Sequence, residues 1–452
     1  MYKLLKFIFQ QAIFIFYRKC IINNKEESIS SGPLIIAANH PNTLMDPLLI
    51  AANLKQRVGF IAKATLFSNG FLKLLFKQLH MIPIRRTVDG DTPEAKAENK
   101  RAFEKCYEYL SNKGIILIFP EGNSFHEMKL RPLKTGAARI ALEFEALNNF
   151  SMNTKILPIA LNYSDPALFK KDIIINFGKA ITISDYKELY LADPKGAVKK
   201  LTDDLRERLE NIIILTENTE QELLYKKIHS IYRNRLTENL KTAGAEISSF
   251  SISKEIANAI MYYESKQPES YQLIKSKIDH YSNLIQKLKI RNSLIEENKK
   301  LKVNLIKKII TPLYLIIGAP FYLFGLLTNY IPYIIPSKVV KLITNDIEYK
   351  APIMMITGLI TFPLTYTILV LVFKNYITAD LLPLISFCLL LPISGFYTMH
   401  YYNYVSEAKS LFFINTSLKE KDRLYSLVTN TREEIVLLLD KASEVYSASL
   451  TK

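Results

Sequence analysis

The sequence contains few of the residues that build disulfide frameworks and metal sites. It has three cysteines, Cys20, Cys106 and Cys388, which lie far apart in apolar or helical surroundings. An odd and scattered set of this kind excludes a disulfide scaffold and a zinc cluster. The sequence has six histidines, and no two of them stand at metal-ligand spacing beside a carboxylate on one predicted helix. We therefore predict no metal and no bound cofactor, and a working part that faces a reducing cytoplasm.

Acidic residues are in deficit, and the chain has no internal repeat and no low-complexity linker. Its 452 residues include 59 lysines and arginines against 43 acidic residues, a formal net charge of +16. Yet 49% of the residues are hydrophobic, which excludes a disordered basic tail protein because such chains lack apolar residues to bury. The length suggests two or three domains. The positive charge favours an anionic membrane surface or negatively charged substrates, and no nucleic-acid reading module accompanies it.

Charge is absent from long stretches near the C-terminus. Residues 309–336 and 351–373 contain no charged side chain, and residues 381–405 contain no Lys, Arg, Asp or Glu, with His400 as their one histidine. Each stretch is long enough to meet the hydrocarbon core of a bilayer, which about 20 helical residues cross. We predict membrane segments within 309–405, followed by a helical cytoplasmic tail at 406–452.

The first of these stretches is interrupted by four prolines, Pro312, Pro320, Pro332 and Pro336. Each interior proline removes a helix hydrogen bond. The stretch either spans the membrane or bends and returns to its own side as a re-entrant segment. In the re-entrant case all the strongly basic flanks lie on one side, as the positive-inside rule favours. We therefore prefer one re-entrant and two spanning segments.

The N-terminal segment, residues 1–31, begins with an apolar run that Lys3 and Lys6 interrupt. No small-residue cleavage site follows, which argues against a secretory signal peptide. We predict an interfacial helix that sinks one face into the lipid headgroups. A helix packed on its own domain is the alternative.

Residues 32–194 alternate between short apolar runs and helical patterns. This alternation predicts an α/β domain with a mostly parallel sheet and helices on its faces. The predicted strands are Leu34–Ala38, Val58–Ala62, Met81–Ile84, Ile115–Phe119, Ile156–Leu161 and Ile173–Phe177. Residues 195–308 are rich in Lys, Glu, Leu and Ile at helical spacing, which predicts a helical region with solvated charged faces.

A histidine and an aspartate follow the first predicted strand, in the segment Asn39–Pro47. Histidine can act as a general base on a hydroxyl, and a carboxylate can hold its tautomer. His40 and Asp46 are therefore a candidate catalytic pair. The alternatives are structural: Asp46 before Pro47 suits a helix N-cap, and His40 suits a turn.

Other strand ends also carry polar residues. Glu121 and Gly122 follow the fourth strand, where a carboxylate could meet polyol hydroxyls; a simple Pro-Glu-Gly turn is the alternative. Arg85 ends the third strand and could clamp a phosphate, or form a surface pair with Arg86. Pro158 lies within the fifth strand and suggests an edge or a bulge.

Taken in order, these blocks resemble the glycerolipid acyltransferase family, which includes glycerol-3-phosphate and lysophosphatidate acyltransferases. The matching segments are Asn39–Asp46, Ile82–Arg86, Phe119–Ser124 and Leu157–Ala160. The resemblance covers about residues 32–179 and leaves the helical region and membrane segments unexplained. It implies an α/β acyltransferase domain joined to a helical insert and C-terminal transmembrane helices.

The resemblance also implies roles for single residues. His40 would take the proton of the acceptor hydroxyl and Asp46 would orient His40. Arg85 would bind the acceptor phosphate, Glu121 and Gly122 would place the glycerol portion, and Pro158 would shape the acyl or thioester site.

Two departures from the family pattern stand out. Five residues separate His40 from Asp46 where the family usually has four, so the pair must use an irregular loop. The third block continues through Ser124 rather than Thr-Arg-Ser, so one phosphate-facing arginine is missing, and Arg131 or Lys134 could replace it.

The predicted function is acyl transfer from acyl-CoA or acyl carrier protein, as co-substrate, to a hydroxyl of glycerol 3-phosphate or lysophosphatidate. The enzyme would sit in the membrane, with lipids as partners and its site facing the cytoplasm. Two alternatives remain: an acyltransferase for a non-phosphate lysolipid, and a catalytically silent lipid-binding scaffold.

Overall fold

A computed structural model describes residues 2–28, 32–63, 81–84, 93–242, 248–288, 292, 295, 305–415 and 419–450. The chain forms two compact units. The first combines Met1–Leu215 with Val340–Met355, and the second combines Thr216–Val339 with Ile356–Lys452.

The first unit is built on one twisted sheet. Its strands are β1 (Lys19–Asn23), β2 (Leu34–Ala38), β3 (Val58–Lys63), β4 (Met81–Ile84), β5 (Ile115–Ile118), β6 (Lys155–Tyr163), β7 (Asp172–Phe177) and β8 (Ile181–Thr182). The order is β1-β7-β6-β2-β5-β3-β4, with β8 beside β6. All pairings among the described strands are parallel except those of β6 with β7 and β8. This confirms the predicted mostly parallel α/β fold, and the fully buried β2 and β5 explain its continuous apolar runs.

Helices cover the sheet. They are α1 (Tyr2–Phe16), α2 (Met45–Asn53), α3 (Pro93–Ser111), α4 (Gly136–Leu147), α5 (Lys187–Ala192) and α6 (Pro194–Ile212). Buried faces of α3, α4 and α6 form one apolar core with the strands, through residues such as Leu110, Phe144 and Leu205. The sequence prediction ended this domain at residue 194, whereas the compact unit continues through α6 to Leu215.

The position of Pro158 differs from the edge or bulge that the sequence suggested. Strand β6 lies inside the sheet, between β2 and β7, and Pro158 is buried opposite Ala37. The carbonyl of Pro158 accepts a hydrogen bond of 2.9 Å from the Gly178 N–H. The nitrogen of Pro158, which carries no hydrogen, lies on the same side of β6 as this carbonyl, toward the connection between β7 and β8. The hydrogen bonds between β6 and β2 therefore lose no donor.

Helix α1 has two apolar faces. Ala12, Ile13 and Phe16 are buried, and Gln10 donates 2.7 Å to the carbonyl of Ala52 at the end of α2. The opposite face leaves Phe14 79% exposed, with Leu4 and Phe7 also exposed. Packing on the domain therefore uses one face and leaves an apolar face that suits the predicted contact with lipid.

The second unit contains a helical bundle. It comprises α7 (Thr219–Thr242), α8 (Ser249–Lys266), α9 (Pro268–Leu288) and the tail helix α13 (Lys419–Leu450). The tail is fixed by polar contacts: Tyr232 donates 2.7 Å to Asp440 Oδ1, and Lys277 pairs with Glu434 at 2.8 Å. Helices α7–α9, which precede the long apolar helices, and the tail helix α13, which follows them, are therefore one packed body.

Within the part of the chain that the structure describes, three helices are long and apolar enough to cross a membrane. They are α10 (Leu305–Ile343), α11 (Lys350–Tyr376) and α12 (Leu381–Asn415). Since α7–α9 precede them and α13 follows them in one bundle, the chain must cross a bilayer an even number of times between these parts. Three full spans do not satisfy this requirement.

Contacts of α10 with α11 and α12 indicate which of the three helices does not run straight through. Its first half runs antiparallel to α12, as Thr311 contacts Tyr404 at 3.1 Å and Asn329 donates 3.3 Å to Leu391 O. Further along, Pro332 O accepts 3.2 Å from Thr361 of α11.

Helix α10 is also antiparallel to α11, because Asn329 accepts from the later residue Tyr366 at 2.5 Å while Pro332 meets the earlier Thr361. Helices α11 and α12 are themselves antiparallel, with Phe373 stacked on Phe387 at 4.2 Å beside their connection. A straight helix cannot run antiparallel to both helices of an antiparallel pair. Helix α10 therefore bends among its prolines. This arrangement favours the re-entrant segment.

The re-entrant topology predicts which engineered cysteines share a membrane face. In a protein whose native cysteines are replaced by serine, Ser265→Cys and Asn345→Cys should react with an impermeant maleimide from the same side of sealed vesicles. Ala379→Cys should react only from the other side, and Ser447→Cys should match Ser265→Cys. Labelling of Ser265→Cys and Asn345→Cys from opposite faces would show that α10 spans.

Candidate active site

Two loops meet at the carboxyl edge of the sheet. Strands β2 and β5 are parallel neighbours, with Ala37 opposite Ile118, so the segments that follow them emerge side by side. The Phe125 N–H donates 3.1 Å to the His40 carbonyl and ties the two segments together. The sequence blocks around His40 and Glu121 therefore form one site.

His40 and Asp46 are in direct contact. His40 Nδ1 lies 2.8 Å from Asp46 Oδ2, the His40 side chain is 18% exposed, and that of Asp46 is fully buried. A carboxylate oxygen only accepts, so Nδ1 carries the hydrogen and Nε2 is the ring atom with a free lone pair. The pair has the geometry of a base and its orienting carboxylate.

A tight turn accommodates the unusual spacing between the two residues. The Met45 N–H donates 2.8 Å to the Asn42 carbonyl, and the Asn42 N–H donates 2.7 Å to Asp46 Oδ2. Asp46 lies in the first turn of α2, and no side-chain cap hydrogen bond forms at that helix end. Its carboxylate points back into the loop and accepts from the Asn42 N–H. Asp46 is therefore not the N-cap of α2, because Leu44 occupies that position.

Phe119 and Glu121 support His40 from the second loop. The rings of His40 and Phe119 stack with centroids 3.9 Å apart at 11°. Glu121 Oε1 accepts 3.0 Å from the His40 N–H, and Oε2 accepts 3.1 Å from the Arg131 N–H. Burial raises the pKa of Glu121, and these two N–H groups partly offset that rise. The carboxylate therefore holds backbone on both sides, and only its remaining lone pairs could meet a substrate.

Gly122 and Lys134 lie against each other. Gly122 has φ +78°, a left-handed conformation that favours glycine. A Cβ at this position would stand 2.7 Å from Lys134 Nζ, so the absent side chain leaves room for the lysine amine. The Lys134 N–H donates 2.8 Å to the Pro120 carbonyl. The structure thus brings the predicted cation Lys134 to the turn that carries Glu121.

The other predicted site residues have different surroundings. Ser124 Oγ accepts 2.9 Å from the Thr43 N–H and supports the loop of His40. The Arg131 guanidinium pairs with Glu127 at 2.8 Å and lies over the Phe125 ring. Pro158 lies in the sheet interior rather than at its edge, and Arg85 falls outside the described residues.

The sequence prediction missed Tyr163, which ends β6. Its hydroxyl donates 2.5 Å to Asp46 Oδ1. Burial, and then the charge of Asp46, hold the pKa of Tyr163 well above its ordinary value, so the hydroxyl keeps the proton that it donates. Because β6 is parallel to β2, the rule that placed His40 at a strand end also reaches Tyr163.

No metal cluster accompanies these groups in the described part of the chain: no three His, Cys, Asp or Glu side chains there lie close enough to hold an ion. The described residues offer a partly buried His40–Asp46 dyad, an adjacent turn with Glu121 and Gly122, and the cation of Lys134.

Comparison with known proteins shows which proteins this part of the chain resembles. Residues 19–162 match the model of the Acyltransferase family. Glycerol-3-phosphate O-acyltransferase 1 of Saccharomyces cerevisiae is 28% identical over 149 residues, covering 32% of this chain and 20% of the yeast protein. Glycerol-3-phosphate O-acyltransferase 2 of the same yeast is 31% identical over 124 residues, covering 27% of this chain and 16% of the yeast protein.

A solved structure is also similar. The 1-acyl-sn-glycerophosphate acyltransferase of Thermotoga maritima aligns with a TM-score of 0.34 and 17% identity, over 47% of this chain and 78% of that one. The chain spans a fifth or less of the two yeast relatives. The residues that match the Acyltransferase model contain the His40–Asp46 dyad and the Phe119–Ser124 block, so this part of the chain is similar to acyltransferase domains.

Proposed function

We propose that the protein is a membrane acyltransferase that moves a fatty acyl group from a thioester donor to a hydroxyl of glycerol 3-phosphate. The observation that carries this proposal is the buried His40–Asp46 contact at the carboxyl edge of the sheet. The names of the two yeast relatives support glycerol 3-phosphate as the acceptor. The donor is acyl-CoA or acyl carrier protein, and the three long apolar helices support a membrane setting.

The proposed reaction needs one proton shuttle. His40 Nε2 takes the proton of the acceptor hydroxyl as its oxygen attacks the thioester carbonyl. The tetrahedral intermediate collapses with cleavage of the C–S bond, and the imidazolium returns the proton to the leaving thiolate. Asp46 stabilises the imidazolium, and Phe119 and Glu121 keep the ring and the backbone of His40 in place. The chain itself forms no covalent bond to the acyl group.

The acceptor phosphate requires cations near this edge. Lys134 stands beside Gly122, and Arg85 follows β4 in the sequence. The Arg131 guanidinium pairs with Glu127, so Lys134 and Arg85 are the preferred phosphate contacts. We expect the site to face the cytoplasm, where its soluble substrates occur.

The test is a panel assay on the full-length protein in membranes or nanodiscs. Labelled acyl-CoA and acyl carrier protein are each offered with glycerol 3-phosphate, lysophosphatidate or a lyso-aminolipid. Acylation of glycerol 3-phosphate supports the proposal. Acylation of the lyso-aminolipid alone would give the non-phosphate alternative, and transfer to none of the acceptors would favour the silent scaffold.

Tyr163→Phe should lower kcat about 5- to 20-fold and leave both KM values nearly unchanged. The substitution removes one charge-assisted hydrogen bond from the buried Asp46, a contact that fixes the carboxylate which orients His40. Steady-state kinetics of the purified protein measure this effect.

Tyr107→Phe is the matched control for that substitution, because the Tyr107 hydroxyl donates 2.5 Å to the carboxylate of Glu143, a contact between helices α3 and α4. It should keep kcat. The effect of Tyr163→Phe should also disappear in an Asp46→Asn background. Equal losses with and without Asp46 would show that Tyr163 does not act through that carboxylate.

A further inference from the structure

The short connection between α10 and α11 contacts the loop of His40. Residues Val340–Met355 belong to the first compact unit, with the sheet, although the helices on either side of them continue into the second unit. Within this connection, Glu348 makes two polar contacts with the loops of the site. Its carbonyl accepts 2.8 Å from the Thr43 hydroxyl, and its Oε1 accepts 3.1 Å from the His126 N–H.

Thr43 is the point at which the loop of His40 needs support. It is 8% exposed and has φ +30°, which is unusual for a β-branched residue. Such a conformation persists only where surrounding contacts hold it. Two contacts do so: its N–H donates 2.9 Å to Ser124 Oγ, and its hydroxyl donates to Glu348.

The second contact of Glu348 reaches the other loop of the site. His126 follows Phe125, whose N–H donates 3.1 Å to the His40 carbonyl. Glu348 therefore contacts both segments that carry the site, one through its backbone and one through its carboxylate. Removal of either contact costs one hydrogen bond between the connection and a loop of the site.

We infer that Glu348 and Thr43 form a latch through which the α10–α11 connection positions the loop of His40. Both are positioning residues, since neither contacts the dyad directly. The inference rests on the proposed acyl transfer, because its consequence is measured as kcat. It also places the active site on the membrane face at which residues 344–349 lie.

Substitutions that differ by one group test the latch. Thr43→Val keeps the shape of the side chain and removes the donor, and it should lower kcat about 10-fold with KM changed less than twofold, the effect of about one hydrogen bond on loop position. Thr43→Ser keeps the donor and should stay within threefold of the wild type. Glu348→Ala should lower kcat, whereas Glu348→Gln keeps an acceptor oxygen for His126 and should lower it less.

The double variant Thr43→Val/Glu348→Ala should lose less than the product of the single losses, since both contacts belong to one latch. Thr202→Val is the control, because the Thr202 hydroxyl bonds only to Val198 O of its own helix. It should keep kcat and match Thr43→Val in thermal midpoint.

The failures of the two proposals are distinguishable. Absence of transfer by the wild-type protein would overturn the proposed function. Full wild-type transfer that His40→Ala abolishes and that Thr43→Val and Glu348→Ala leave within twofold would overturn the latch alone. If Thr43→Val does not fold, Glu348→Ala decides, since it removes a single side-chain contact.

Discussion

Replacement of His40 by alanine is expected to lower kcat for acyl transfer by about 10²- to 10⁴-fold, the usual contribution of a positioned general base. The imidazole is the group at this edge of the sheet with a buried carboxylate 2.8 Å from one nitrogen and a free lone pair on the other. Binding of the donor and acceptor should change little, because the proton transfer concerns the transition state. Single-turnover assays with labelled acyl-CoA measure the chemical step directly.

The stack on Phe119 requires a control for packing, since alanine also removes the ring contact at 3.9 Å. His40→Gln keeps more of the side-chain volume and should be similarly inactive. His280→Ala, an exposed histidine on α9, should behave as the wild type. Wild-type turnover by a folded His40→Ala protein would exclude His40 as the base.

Asp46→Asn is expected to give the second largest loss, about 10²- to 10³-fold in kcat. The amide keeps the shape of the carboxylate and can accept from the Asn42 N–H, but it carries no charge to stabilise the imidazolium. The side chain is fully buried, so water cannot replace the missing charge. The comparison of kcat with KM for both substrates shows whether the loss belongs to the transition state.

Asp204→Asn is the matched control for Asp46→Asn. Asp204 also accepts a tyrosine hydroxyl, that of Tyr186 at 2.6 Å. It should change stability modestly and leave kcat intact. If Asp46→Asn and Asp204→Asn lowered kcat equally, the loss would reflect general destabilisation rather than an oriented His40.

The sequence was sufficient to predict six of the eight described strands, β2 to β7, but it missed β8, and it missed β1, which lies within the segment predicted as an N-terminal interfacial helix. Continuous apolar runs such as Leu34–Ala38 suit only a strand buried on both faces, and the structure has β2 over those residues. Since parallel strands end at one edge, the blocks after β2 and β5 had to meet, and His40 and Glu121 do. Proline spacing likewise indicated that α10 bends.

The sequence was not sufficient to assign several partners. A glutamate at position 121 could bind a polyol or accept from backbone N–H groups, and the sequence does not distinguish these roles. The folded loops show that it accepts from the N–H groups of His40 and Arg131. Arg131 was a candidate replacement for a phosphate-facing arginine, yet Glu127, four residues earlier in the same loop, pairs with it. Pro158 suggested an edge strand because the sequence does not show which strands lie on either side of β6. In the sheet, β6 lies between β2 and β7.

The sequence by itself determined which side chains the proposed acyl transfer could use: a histidine and an aspartate at a strand end, several cations, and apolar segments long enough for a membrane. The tertiary structure decided which groups hold that chemistry in place. Tyr163 and Glu348 lie 117 and 305 residues from their partners Asp46 and Thr43. Contacts over such separations depend on the order of the strands in the sheet and on where the connection between α10 and α11 packs, and no local periodicity encodes either of them.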